Sequence, residues 1–102
     1  MGETYRTFFS DTFNYDTIGQ ITGASVVSQF PNMPGSIFRL QGHSDNLGSF
    51  FIGTNSGTGK QYWEIEPSVD TGWFTLDHHN LNELFFINSS GSSEKLNYWV
   101  QH

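Results

Sequence analysis

The chain of 102 residues contains no cysteine, which excludes a disulfide framework, thiolate zinc ligation and thiol nucleophiles. Stability must then come from the core or from association with other copies. Basic residues are also scarce: 4 Lys and Arg stand against 10 Asp and Glu, a formal charge of −6. That balance argues against nucleic acid, whose phosphates need a basic face, and against an anionic membrane surface. No apolar run approaches the roughly 20 residues that a spanning helix requires. The start, MGETYRTFF, has neither a basic n-region nor an apolar h-region, so no signal peptide is expected. Arg6 occupies the place where a myristoylation motif wants Ser or Thr.

What the chain does have is glycine (11 residues) and aromatics (17%), a composition suited to strands separated by turns. Strand signals recur at Tyr5 to Phe9 (extending through Asp11 to Tyr15), Ser25 to Phe30, Ser36 to Gly42, Gly48 to Gly53, Gln61 to Glu66, Thr71 to Leu76, Glu83 to Asn88 and Glu94 to Val100. Gly19 to Gly23 read as a turn, and Pro31 to Gly35 as a rigid one. Asp77 to Asn82 suit a single helical turn with Asp77 as N-cap. The last two runs, joined through Ser89 to Ser93, read as a closing hairpin. About eight short strands without helices predict an all-β, antiparallel, jelly-roll-like β-sandwich. Residues 30–102 form its core and residues 1–29 N-terminal strands or an arm, in one domain overall. Phe38, Leu40, Ile52, Ile65, Phe86 and Leu96 are the expected central residues.

The Gly-rich stretch FIGTNSGTGKQYW, Phe51 to Trp63, invites a phosphate-loop reading and fails it. Thr54 stands where the first glycine belongs, Gln61 replaces the Ser or Thr, and a strand rather than a helix follows. It reads instead as a long hairpin loop. Glu64 and Glu66 are two apart on one strand face, near about 7 Å, a separation seen in inverting glycosidases. Two acids on a solvated strand face are equally an ordinary edge device. His78 and His79 adjoin each other, His43 and Asp45 are better spaced for a shared ion, and Asp45, Asn46 and Asp70 could meet calcium. None of these makes a recognised ligand motif, so neither metal nor cofactor is expected. Without a Gly-x-Ser-x-Gly elbow there is no acyl-transfer site either. The expectation is a non-enzyme.

The aromatic set Tyr62, Trp63, Trp73, Tyr98 and Trp99 survives this sifting. Tyr62 and Trp63 are neighbours on a strand, as are Tyr98 and Trp99, so some of these rings must face outward. Outward rings either stack on sugars or are buried between subunits.

From Phe30 onward the segments follow an order: FPNMP (Phe30–Pro34), SIFRLQG (Ser36–Gly42), DNLGSFFIG (Asp45–Gly53), TNSGTGK (Thr54–Lys60), TGWFTLD (Thr71–Asp77), NLNELFFIN (Asn80–Asn88) and SGSSEKLNYW (Ser90–Trp99). This order resembles a family of small phage virion proteins over roughly the last two-thirds of the chain. Gly35 stands where many members carry cysteine, and Tyr5 to Ser28 has no counterpart. The resemblance implies a non-enzymatic β-sandwich that decorates or cements a capsid, or forms part of a tail. Such a protein would be a homo-oligomer, a trimer for example, meeting other virion proteins after assembly in the host cytoplasm. The alternative is a carbohydrate-binding module in which Tyr62, Trp73 or Trp99 stacks on a glycan.

Overall fold

The computed structural model describes residues 16–102. The runs at Tyr5 to Phe9 and Asp11 to Tyr15 lie outside the described residues. Among the described residues seven strands occur in the order β1 (Asp16–Thr22), β2 (Ser28–Gln29), β3 (Ile37–Gly42), β4 (Phe50–Gly53), β5 (Trp63–Ile65), β6 (Phe85–Ile87) and β7 (Lys95–Gln101), with a 3₁₀ turn at Leu81–Glu83 before β6. They make two antiparallel sheets, β1-β7-β3 and β2-β6-β4-β5. The Thr71 to Leu76 run is not a ladder strand. Its neighbourhood touches β3 through isolated bridges, Phe38 with Phe74 and Gln41 with Asp70, because Gly72 takes a positive φ of 71° and turns the backbone. Residues 70–74 thus lie along the outer edge of β3 as a rudimentary eighth strand. Except at the β4–β5 hairpin, successive elements alternate between sheets, which is jelly-roll winding.

The chain forms these sheets because its apolar residues alternate. On β7 every second residue is buried (Leu96, Tyr98, Val100), and on β3 so are Phe38, Leu40 and Gly42. From the other sheet Phe50, Ile52, Ile65 and Phe86 face them, with Phe30, Leu81 and Leu84 closing the cluster. All six expected central residues are in it. Phe86 bridges Phe30 and Phe50, with ring centroids at 5.1 and 6.1 Å, so one aromatic row runs along the inner face of the four-stranded sheet.

Four local expectations are corrected. Gly19 to Gly23 is not a turn: β1 runs through Gly19, which lies opposite Tyr98. A Cβ there would sit 2.3 Å from the Tyr98 ring, so the glycine makes room for an aromatic rather than for a bend. The last two runs do not form a hairpin. β7 is paired on both sides by β1 and β3, and β6 belongs to the other sheet. The intervening segment crosses between sheets, held by Asn88 N–H donating to Ala24 O and Gly23 N–H to Glu94 O, both at 2.9 Å. The helical turn begins later than expected, because Asn80, not Asp77, caps it. The Asn80 side chain accepts from Asn82 N–H, and Glu83 reaches back to Asn80 N–H. Asn80 Oδ1 also accepts from Met33 N–H at 3.0 Å. A single side chain therefore binds the 3₁₀ turn to the Pro31–Gly35 turn. The Ser25 to Phe30 run is shorter than expected, with only Ser28–Gln29 in the ladder before Pro31 ends it.

Candidate functional site

The outer face of the three-stranded sheet carries two rows of side chains, set by the register. The first runs Ile18, Trp99, Arg39 across β1, β7 and β3, and the second runs Gln20, Asn97, Gln41. Residues 70–74 extend both rows, with Trp73 beside Arg39 and Asp70 paired with Gln41. Alternate residues of a strand share a face, so the rows lie about 7 Å apart. The Arg39 guanidinium carbon sits 4.6 Å from the Trp99 ring centroid and 5.9 Å from that of Trp73, within cation–π range of both. Arg39 Nε donates to both Asp70 oxygens at 3.0 Å, and Nη2 adds a further bond to Oδ2. This bidentate bond holds the Asp70 carboxyl below its usual range and raises the guanidinium pKa further. Gly72 N–H donates to Asp70 Oδ1 at 2.8 Å and fixes the carboxylate in turn. In the second row Gln20 Nε2 donates to Asn97 Oδ1 at 2.8 Å. A cavity of about 200 Å³ ends the row, lined by Gln41, Asn97, His43, Ser44 and Ser68.

Tyr62 and Trp63 lie elsewhere. They flank an apolar cleft of about 440 Å³ between the β4–β5 hairpin and the 74–76 segment, floored by Ile52, Leu76 and Leu84. Trp63 stands edge-on to Phe74 at 5.3 Å, while Tyr62 is 78% exposed. The five expected aromatics are therefore split three ways. Trp73 and Trp99 share the outer sheet face, Tyr62 and Trp63 share the cleft, and Tyr98 is a core residue with 6% exposure.

The four-stranded sheet has an apolar outer face that escaped the sequence reading. Phe51 pairs with Ile87 on β6 and Glu64 on β5, and Phe85 lies opposite Gly53 and Gln29. Phe51 is exposed, and Phe85 and Ile87 are half-buried. The doublets Phe50-Phe51 and Phe85-Phe86 carried the signal: neighbours on a strand point to opposite faces, so one ring of each pair had to leave the core.

The remaining residues are accounted for locally. Glu64 accepts from Ser49 Oγ at 2.7 Å on the surface, and Glu66 is exposed beyond the end of β5. The Gly-rich stretch is the β4–β5 hairpin loop. Its buried Gln61 donates to the Asn55 and Gly57 carbonyls at 2.6 and 2.9 Å. Among the described residues no three His, Asp or Glu side chains converge as a metal site would require. His43 Nδ1 instead accepts from Asp45 N–H at 3.0 Å. Glu94, the one deeply buried acid among the described residues, accepts from the N–H groups of Leu47 and Gly48 at 2.8 Å each. These bonds, the Gly48 one foremost, hold its carboxyl below the usual range. It is an anchor for the β3–β4 loop rather than a reactive acid. Comparison with protein-family models, with curated proteins and with solved structures finds no match to this chain.

Proposed function

We propose that the protein is a non-enzymatic structural module that works as a homo-oligomer and decorates or stabilises a phage particle. The observation that supports assembly is the apolar outer face of the four-stranded sheet. Phe51, Phe85 and Ile87 stand where a solvated antiparallel sheet carries polar side chains. Burial of that face against another copy, or against a neighbouring virion protein, would remove aromatic surface from water, the main driving force for association. The virion setting is drawn from the order of segments between Phe30 and Trp99. Attachment to an assembled shell but not to its separated parts would then stabilise the particle by mass action.

Light scattering on a size-exclusion column tests the assembly. A trimer or larger ring is expected for the native chain, and Phe51→Lys should dissociate it. Lysine is chosen because Glu64 lies opposite, so the new charge finds a cross-strand partner and the monomer keeps its fold. A native monomer, or an oligomer indifferent to Phe51→Lys, would overturn the proposal.

A further inference from the structure

We propose that the outer face of the three-stranded sheet binds a neutral oligosaccharide, with Trp73 as the stacking ring and Arg39, Asn97 and Gln41 as hydrogen-bonding partners. A sugar ring is apolar on its faces and surrounded by hydroxyls at its rim, so its binder needs an exposed ring flanked by donors and acceptors. Trp73 is 46% exposed, and its neighbours supply the rest. Arg39 uses Nε and Nη2 on Asp70, leaving Nη1 without a partner among the described residues. Primary amides carry both donor and acceptor atoms, and the row of Gln20, Asn97 and Gln41 offers three in line. The polar cavity beside Gln41 and Asn97, with the Ser44 and Ser68 hydroxyls in its lining, suits a projecting hydroxymethyl or acetamido group.

Charge selects among ligands. The Arg39 cation is matched by Asp70 on the same face, so the centre of the platform presents no unbalanced charge to a phosphate, sulfate or carboxylate. Lys95 and His43 lie toward the far end of this face, by the cavity. A neutral, hydroxyl-rich partner fits, and an acidic one has no complement at Trp73. Peptide capture by strand addition is disfavoured beside Trp73, because residues 70–74 already occupy the edge of β3. The platform is also held before any ligand arrives. Asp70 and the Trp99 ring fix the guanidinium, Gly72 N–H fixes Asp70, and Gln20 fixes Asn97. A preorganised site loses little side-chain entropy on binding.

The platform and the apolar face used for assembly belong to opposite sheets, so the two proposals fail separately. The probe is an immobilised panel of neutral hexose and N-acetylhexosamine oligosaccharides, followed by intrinsic tryptophan fluorescence titration with any that bind. Saturable binding is expected, unaffected when salt is raised to about 0.5 M because no ion pair forms. Trp73→Ala should weaken it about tenfold, and Asn97→Ala should weaken it as well. Both variants should keep the native melting profile, since neither side chain lies in the core. Phe51→Lys should leave glycan affinity per chain unchanged. No binding anywhere on the panel, affinity retained in both Trp73→Ala and Asn97→Ala, or binding abolished by salt would each overturn the proposal. The last outcome would point to a charged partner instead.

Discussion

Placing one methyl group at Gly19 tests why a glycine stands inside a strand. In Gly19→Ala the new Cβ falls 2.3 Å from Tyr98 Cζ and Oη and 2.8 Å from Cε1. Ordinary contact begins near 3.4 Å, so the ring and β1 must separate by about 1 Å. The ring has little room to yield, because Tyr98 is 6% exposed and Leu40, fully buried, is its partner on β3. Overpacking of this kind costs about 1–3 kcal/mol. Alanine recovers roughly 0.5–1 kcal/mol of the penalty that glycine carries in a strand. The net expected loss is up to about 2.5 kcal/mol and centred near 1 kcal/mol, or roughly 4–8 °C in Tm at that centre for a domain of this size. Urea unfolding of Gly19→Ala, Tyr98→Leu and the double variant gives the coupling. With the large ring gone, Gly19→Ala should become neutral or slightly stabilising. A native-like Gly19→Ala, or costs that simply add in the double variant, would refute the reasoning.

Two further outcomes follow from the hydrogen-bonding nodes. Asn80→Ala removes the cap of the 3₁₀ turn and its bond to Met33 N–H, and should cost about 0.5–2 kcal/mol in denaturant unfolding, with Asn80→Asp retaining part of the cap. Glu94 has a folded pKa below its unfolded value, so its contribution to stability is full above the unfolded pKa and is lost as pH falls through the folded one. Melting curves recorded from neutral to acidic pH should therefore fall less steeply for Glu94→Gln than for the native chain, with the neutral-pH stability of the variant already reduced. An acid limb unchanged by Glu94→Gln would show that other carboxylates carry it, Asp70 beside Arg39 being the first to examine.

Much of the fold is written in short-range pattern. Period-two alternation in SIFRLQG and EKLNYWV, and the break at Pro31, are enough to predict an all-β sandwich and the residues of its core. The same alternation places Arg39 and Gln41 on the face opposite Phe38 and Leu40. It also puts one ring of each Phe-Phe doublet outside, as it does for Tyr62-Trp63. What alternation cannot carry is the partner of each strand, because pairing is settled by the burial of two whole faces at once. The closing hairpin was the locally economical choice for the last two runs, yet β7 satisfies both of its edges by sitting between β1 and β3, forty or more residues away in sequence. Gly19 illustrates the same limit. As a letter it signals a turn; beside the Tyr98 ring it is the space a buried aromatic needs. Only the tertiary structure sorted the five expected aromatics into core, cleft and platform, and only it brought Arg39 between two tryptophans with Asp70 at its side, since those four residues come from three separate stretches of chain.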